Sequence, residues 1–212
     1  MNERLRNYLC EFLGALFITA FVCGILLFAD PLGMHAAAMA AALCVMALTA
    51  LFLPMSGAHF NPVISLAMFI KGRIDTVDFF GYTAAQLAGA FAGFGLAVLV
   101  EGDSDGMLGS EIGYLEPQMA FVLEAFCAFV LVFIFLELTS RSKTSVPISI
   151  GAANAFILAW SLNATGSVIN PFRSLAAAVF SGGIYISDLW IFMLAPFVGG
   201  ALAGLVQPRI CE

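Results

Sequence analysis

Long apolar runs separated by short polar segments make up most of the chain. Six of these runs approach or exceed the roughly 20 apolar residues that a helix needs to cross a bilayer. We predict membrane-spanning helices at 7–29, 34–55, 77–100, 118–139, 146–163 and 187–206. Because six is an even number of crossings, both termini are expected on the same side of the membrane.

Two further segments are too short to cross. Ser56 to Arg73 lies between the second and third runs, and Thr165 to Gly183 lies between the fifth and sixth. In each, Asn-Pro precedes about ten helix-favouring residues, enough for a helix of ~15 Å or half a bilayer. Asn is a favoured N-cap and Pro a favoured first helical residue, so Asn61-Pro62 and Asn170-Pro171 predict two helix starts. Irregular backbone at membrane depth requires burial or a water-filled cavity.

The two halves of the chain correspond to each other. Glu11-Phe12 opens the first run, Glu124-Ala125-Phe126 opens the fourth, and each half contains one Asn-Pro segment. Three crossings per half is an odd number, so the second half must be inserted upside down. We therefore predict inverted repeats at about 7–100 and 118–206, joined by a loop at about 101–117. A half-helix then enters from each face, and the two meet at a shared central site.

Positive charge is concentrated on one side of this arrangement, and short cytoplasmic loops are typically rich in Lys and Arg. Seven of the eight basic residues fall on the side of the termini: Arg4, Arg6, Lys71, Arg73, Arg141, Lys143 and Arg209. Acidic residues dominate the other side: Asp30, Glu101, Asp103, Asp105, Glu111, Glu116 and Asp188. We predict cytoplasmic termini, an acidic external loop, and a first helix that is retained, since no small-x-small cleavage site follows it. The eighth basic residue, Arg173, does not follow this distribution.

Composition narrows the class of protein further. Hydrophobic residues make up 62% of the chain and charged residues 10%, which excludes an ordinary soluble domain and a disordered chain. The basic residues form no cluster, so a nucleic-acid partner is not expected. Without metal-ligand spacing, a partnered nucleophile or a phosphate loop, we expect no enzyme, metal or cofactor. Five cysteines lack CxxC spacing and are interpreted as packing residues: Cys10, Cys23, Cys44, Cys127 and Cys211.

These segments resemble the aquaporin and aquaglyceroporin (major intrinsic protein) family over nearly the whole chain. The matching pieces are Glu11-Phe12-x-Gly14, SGAHFNP (Ser56 to Pro62), AQLAGA (Ala85 to Ala90), Glu124, TGSxINPxRS (Thr165 to Ser174) and Trp190 to Ala201. The resemblance implies the aquaporin fold, an all-α membrane protein with six transmembrane helices and two re-entrant half-helices in an inverted repeat. It also implies a homotetramer in the lipid bilayer, with one pore per subunit for water or small neutral solutes.

The resemblance assigns roles to individual residues. The amides of Asn61 and Asn170 are expected to donate hydrogen bonds to the solute, while the positive ends of the two half-helices oppose cations and protons. Arg173 corresponds to the arginine of the selectivity filter. Glu11 and Glu124 correspond to carboxylates that anchor the re-entrant loops by accepting backbone N–H bonds. Interfacial carboxylates exposed to water are the alternative interpretation.

The first re-entrant loop contains further expected pore residues. The backbone carbonyls of Gly57, Ala58 and His59 are expected to be acceptors for the solute. Histidine titrates near physiological pH, so His59 is a possible pH switch. We favour a role in positioning the loop. His35, at the start of the second run, has no motif around it and is expected on the external surface.

The third residue of each Asn-Pro motif departs from the family's usual Ala. Val63 and Phe172 stand there, and both are expected where the half-helices pack across the midplane. A bulky Phe172 either reshapes the waist of the pore or occupies another pocket. The sequence does not decide between these two outcomes.

The filter also departs from the common patterns. Counting without gaps from each Asn-Pro motif predicts a filter of Ala41, Leu158, Ser167 and Arg173. Water-selective members typically combine Phe and His at the first two positions, and glycerol facilitators have an aromatic corner. Both patterns are absent here. The set is similar to that of metalloid-permeable nodulin-26-like and bacterial members, so we predict a wider and more apolar filter.

The sequence therefore predicts a passive channel for small uncharged solutes that excludes protons and ions. Expected permeants are water, polyols and undissociated metalloid acids such as arsenous or boric acid. The alternatives are a strictly water-selective aquaporin, a secondary transporter, which usually needs more intramembrane charges, and a non-conducting structural membrane protein with Phe172 in its waist. Short loops and compact termini indicate the bacterial inner membrane.

Overall fold

The computed structural model describes residues 1–27, 33–101, 115–141, 144–167 and 169–211. Within these ranges the chain forms eight helices: α1 (Glu3–Leu27), α2 (Met34–Ser56), α3 (Pro62–Ile70), α4 (Thr76–Glu101), α5 (Pro117–Arg141), α6 (Val146–Thr165), α7 (Pro171–Ser181) and α8 (Ile184–Cys211). Most of the predicted acidic loop at about 101–117 lies outside the described residues, as do Asp30 and Lys143.

Six of the described helices are long and apolar enough to cross a membrane: Glu3–Leu26, Met34–Ser56, Thr76–Val100, Pro117–Arg141, Val146–Thr165 and Tyr185–Cys211. The six predicted spans are therefore confirmed. The two remaining helices, α3 and α7, have 9 and 11 residues. At 1.5 Å per residue they are about 14 and 17 Å long, about half of a bilayer's hydrocarbon core.

Helix packing in the first half is repeated in the second. Helix α1 packs on α4 and on α2, and correspondingly α5 packs on α8 and on α6. Each half-helix also reaches into the other half, because α3 packs on α8 and α7 packs on α4. The most extensive contact between the halves joins α2 to α6. This paired set of contacts is the packing that an inverted repeat produces.

Small residues allow the long helices of each half to approach closely. A Cβ added at Gly89 would lie well inside contact distance of the Phe12 carbonyl oxygen on α1, and Gly93 meets the α1 backbone in the same way. In the second half, Gly199 on α8 stands against the Ala125 carbonyl oxygen on α5. These glycines bring two backbones together where any side chain would separate them.

Candidate functional site

Both half-helices begin at their Asn-Pro motif. The Asn61 side-chain oxygen accepts a hydrogen bond from the Val63 N–H at 3.0 Å, and Pro62 is the first residue of α3. The Asn170 oxygen accepts from the N–H groups of Phe172 and Arg173 at 3.2 and 3.4 Å. Each Asn therefore caps its helix with its oxygen and keeps its NH₂ group for another partner.

The two NH₂ groups bind across the interface between the halves. Asn61 Nδ2 donates to the Ile169 carbonyl at 2.8 Å, and Asn170 Nδ2 donates to the Phe60 carbonyl at 3.0 Å. Phe60 and Ile169 are the residues immediately before the two Asn residues, so the pair of bonds is reciprocal. An amide NH₂ has two hydrogens, and these bonds use one from each Asn.

The backbone before each Asn has an unusual conformation. Ala58, Phe60 and Ile169 have φ angles of 53°, 51° and 54°, in the left-handed region that residues with a side chain rarely adopt. Each such residue costs about 1–3 kcal/mol and persists only where its surroundings hold it. In this conformation the carbonyl groups of Phe60 and Ile169 accept hydrogen bonds from the Asn of the opposite half.

Glu11 holds the first of these loops. Its side chain is fully buried. Oε1 accepts from the Ser56 hydroxyl at 2.6 Å and the His59 N–H at 3.0 Å, while Oε2 accepts from the Phe60 N–H at 2.6 Å and the Gln86 amide at 2.8 Å. A carboxylate accepts at both oxygens, which matches four converging donors. The structure therefore places Glu11 against the first loop rather than at a water-exposed interface.

Glu124 occupies the corresponding place in the second half, and it is also fully buried. It accepts from the hydroxyls of Thr165 and Ser167, both at 2.8 Å. The Ser167 oxygen in turn accepts from the Ile169 N–H at 3.1 Å. Among the described residues, the second loop therefore reaches its carboxylate through hydroxyl groups, whereas the first reaches it through the backbone directly.

His59 lies behind the first loop in a buried polar cluster. Its Nδ1 is 3.1 Å from the Ser65 hydroxyl on α3, which also accepts from the Gln86 amide. The rings of Tyr82 and Phe135 lie edge-on to the imidazole, with centroids 5.0 and 5.8 Å away. These contacts fix the position of the loop relative to α3, α4 and α5.

A cavity lies where the two half-helices meet. Its lining includes Asn61 and Asn170, the loop residues Ala58, His59 and Phe60, and mainly aliphatic side chains from the surrounding helices: Ile18, Val22, Val45, Thr49, Ile64, Leu131, Phe135, Ile150, Asn154 and Leu158. The space open to water centres is about 50 Å³. Since a water needs about 10–15 Å³ of such space, the cavity has room for a few waters or one small solute.

The predicted loop acceptors divide between two cavities. Ala58 and His59 border the central cavity. Gly57, with φ of 87° at the end of α2, instead borders a neighbouring cavity of about 360 Å³ together with Arg73 and Thr139. His35 is exposed at the start of α2.

The four predicted filter residues are all buried, with at most 2% of their surface exposed. Leu158 borders the central cavity, and Ala41 packs beside it in one apolar cluster. The Ser167 hydroxyl bonds to Glu124, and its carbonyl accepts from Ser161 at 2.9 Å. Among the lining residues of the central cavity, Leu158 is the one member of the predicted set.

One of the cysteines makes a contact that the sequence did not suggest. Arg173, which is 1% exposed, lies beside the Cys23 thiol of α1. The interpretation of Cys23 as a packing residue is therefore incomplete. All five cysteines are free thiols. Among the described residues, no three His, Cys, Asp or Glu side chains form a group that could hold a metal ion.

Of the two outcomes left open for Phe172, the structure has it in another pocket rather than in the waist of the pore. Val63 packs against Gly200 of α8, and Phe172 packs on the cluster of α1, α4 and α7 residues that contains Cys23 and Phe94. Neither residue lines the central cavity. The half-helices meet through the Asn amides at their N-termini, and the third motif residues pack onto the long helices.

Sequence reasoning missed four residues of this site. Phe60 and Ile169 supply the carbonyls that bind the opposite Asn, and their place immediately before each Asn was the available signal. Thr49 and Asn154 are polar side chains that line the cavity from α2 and α6. Both are hidden within apolar runs, and only their helical spacing from other lining residues identifies their face.

Comparisons with known proteins agree with this geometry. A family model described as Major intrinsic protein matches residues 1–207. The chain is 34% identical over 206 residues to "Glycerol uptake facilitator protein-like 6" of Lactiplantibacillus plantarum, covering 94% of this chain and 95% of that protein. It is 28% identical over 218 residues to "Aquaporin Z" of Rhodopseudomonas palustris, covering 94% of this chain and 91% of that protein.

A solved structure shares the fold at low sequence identity. The aquaglyceroporin from Plasmodium falciparum matches 98% of this chain and 96% of its own chain, with a TM-score of 0.86 and 19% identity. The predicted fold class, with six transmembrane helices and two re-entrant half-helices in an inverted repeat, is therefore confirmed.

Proposed function

The chain belongs to the major intrinsic protein family, and from this premise we propose that it passively conducts water, glycerol and related polyols, and undissociated metalloid acids such as arsenous and boric acid. Members of this family are membrane channels and not enzymes. The observation that carries the proposal is the reciprocal Asn61–Asn170 arrangement, which borders a cavity and leaves one N–H of each amide for a passing solute.

The arrangement favours neutral solutes over ions. Two half-helix N-termini point at the cavity, and each carries about half a positive charge. The Asn amides add donors but no negative charge, and most of the lining is aliphatic. A cation that loses its hydration shell there meets repulsion and few acceptors, whereas a hydroxyl group accepts from the amides. Protons and cations are therefore excluded in this proposal.

The identity of the predicted filter residues supports the proposal that solutes larger than water pass through the channel. Ala41 and Leu158 stand where water-selective members of the family typically carry Phe and His, so the proposed filter is wider and more apolar beside Arg173. The glycerol facilitator relative at 34% identity supports glycerol as a permeant. Arsenous and boric acids are neutral at pH 7 and carry three hydroxyl groups like glycerol, so the same hydrogen-bonding path suits them.

Assembly and placement are part of the same proposal. We place a homotetramer in the bacterial inner membrane, with one pore per subunit and both termini cytoplasmic. Bacterial relatives and the distribution of Lys and Arg support this placement. The repeats of about 7–100 and 118–206 each contribute one half-helix to the pore of one subunit.

The alternatives differ from the channel in what they predict for flux. A secondary transporter saturates at low solute concentration and shows counterflow, whereas a channel gives linear flux. A strictly water-selective channel excludes glycerol, urea and arsenous acid. The non-conducting alternative required Phe172 in the waist of the pore, and its packing on the cluster of Cys23 and Phe94 removes that support.

Solute-driven swelling of reconstituted liposomes tests the proposal. We expect glycerol and arsenous acid to enter protein-containing liposomes faster than empty liposomes, with a rate linear in solute concentration. Water flux without entry of glycerol, urea or arsenous acid would contradict the wide filter. Saturation with counterflow would contradict the channel mechanism.

A further inference from the structure

One face of α6 borders the central cavity from Ile150 to Leu158. Ile150, Asn154 and Leu158 all line the cavity and are four residues apart, so they lie above one another on the same side of the helix. At 1.5 Å per residue, Asn154 is about 6 Å from each of the two aliphatic residues along the axis. Helix α2 contributes Val45 and Thr49 to the lining with the same spacing. A polar amide therefore interrupts an otherwise aliphatic stripe.

The Asn154 side chain has hydrogen-bonding capacity that the protein does not use. It is 8% exposed, and its Nδ2 donates to the Ile150 carbonyl at 2.9 Å. An Asn amide offers two N–H donors and a carbonyl oxygen with two lone pairs. Within the described part of the chain this is its one hydrogen bond, so Oδ1 and the second N–H stay available. Burying such groups is unfavourable unless a partner is supplied, and the cavity is where a partner can lie.

Groups for hydrogen bonding thus line the cavity from two sides. Asn61 and Asn170 each retain one N–H at the half-helix ends, and Asn154 presents an acceptor and a donor from α6. The space open to water centres, about 50 Å³, is small enough for one solute to contact both sides. A solute with hydroxyl groups on more than one carbon can bond to both at once, while a single water uses only part of this set.

We propose that Asn154 is a specificity-determining residue, which binds a hydroxyl group of a passing polyol while Asn61 and Asn170 bind another. This inference rests on the proposed channel function and adds to it a residue outside the Asn-Pro motifs and the predicted filter. Asn154 acts by replacing hydration that the solute loses in the aliphatic cavity. Removal of its hydrogen-bonding capacity therefore slows polyols more than water.

The test compares two substitutions of nearly equal shape. Asn154→Val removes the hydrogen-bonding groups, and Asn154→Thr has the shape of Val with a hydroxyl group. Asn163→Val is the matched control, because Asn163 lies on the same helix and makes the same bond to the carbonyl four residues back, at 2.8 Å, but is exposed. Each variant is reconstituted in liposomes, and stopped-flow light scattering gives the ratio of glycerol to water permeability.

We expect Asn154→Val to lower the glycerol-to-water ratio about fivefold, the effect of one hydrogen bond of about 1 kcal/mol at 1.4 kcal/mol per tenfold. Asn154→Thr restores the ratio to within about twofold of wild type, and Asn163→Val leaves it unchanged. Equal ratios for the Val and Thr variants would overturn the inference, because shape rather than hydrogen bonding would then set the ratio. An unchanged ratio in Asn154→Val would overturn it as well.

The wild-type protein and the Asn154→Val variant together separate failure of this inference from failure of the proposed function. Water flux without glycerol flux would overturn the role of Asn154 in polyol passage and leave a water channel. Glycerol and water flux that respond equally to Asn154→Val would overturn the role of Asn154 and leave the solute channel. No flux above empty liposomes would overturn both.

Discussion

Replacement of Glu11 by Gln tests whether the buried carboxylate holds the first re-entrant loop. Gln keeps one oxygen acceptor and puts an NH₂ donor where the other oxygen was. In one orientation the NH₂ faces the donors of Phe60 and Gln86, and in the other it faces those of Ser56 and His59. In either orientation one backbone N–H, that of Phe60 or that of His59, loses its acceptor, whereas the Ser56 hydroxyl can accept from the new NH₂ group.

The magnitude follows from these lost bonds. A buried N–H without a partner costs about 1–3 kcal/mol before the loop relaxes. Relaxation is favoured because Ala58 and Phe60 have positive φ angles that cost about 1–3 kcal/mol each. When the loop relaxes, the Phe60 carbonyl loses its position opposite Asn170. We therefore expect a free energy of unfolding lowered by about 2 kcal/mol, which corresponds to a Tm lower by roughly 6 °C, together with loss of water flux.

Thermal unfolding in detergent and water flux in liposomes measure the two effects. Glu137→Gln is the control, because Glu137 accepts from Gln207 at 2.8 Å at the far end of α5 and contacts neither re-entrant loop. We expect the control to resemble wild type in flux and to change Tm only slightly. If Glu11→Gln unfolded at the wild-type Tm and conducted water normally, the anchoring role of Glu11 would be refuted.

Three further substitutions have distinct expected outcomes. Ala41→Phe overpacks the apolar cluster beside the cavity at a cost of about 1–3 kcal/mol. We expect stopped-flow measurements to show a larger loss of glycerol flux than of water flux, and equal losses would contradict the filter assignment. Phe172→Ala should leave water permeability unchanged and lower Tm, since its ring packs outside the cavity; a large gain of flux would support the plugged-pore alternative. Gly89→Ala should lower Tm strongly, because the added Cβ meets the Phe12 carbonyl. Gly24→Ala has open space around it and should raise Tm slightly, since Ala favours a helix more than Gly does. Similar Tm values for the two variants would contradict the close packing of α1 on α4.

Local sequence signals predicted the parts of the site that depend on local chemistry. Asn61-Pro62 and Asn170-Pro171 were identifiable as helix starts because capping by Asn and a preset φ at Pro are properties of adjacent residues. The six spans followed from apolar length alone. Glu11 and Glu124 were identifiable because each occupies the same place in its half of the chain.

Features that depend on three-dimensional packing were not predictable from these signals. The left-handed conformations of Phe60 and Ile169 contradict the preference of both residue types. Both carbonyls are held by the opposite Asn, and the N–H groups by Glu11 for Phe60 and by the Ser167 hydroxyl for Ile169. The direction of Phe172 depends on the rotation of α7 about its axis. Asn154 is a polar residue within an apolar run, and its exposure to the cavity becomes visible only when α6 is placed against the half-helices.

The most direct test of the proposed channel is one stopped-flow trace of reconstituted liposomes mixed with hypertonic glycerol. Water leaves first and shrinks the vesicles, and glycerol entry then swells them again. We predict that both the shrinking and the swelling phases are faster than in empty liposomes. Both phases at the rates of empty liposomes would contradict the conclusion that this chain is a channel for small neutral solutes.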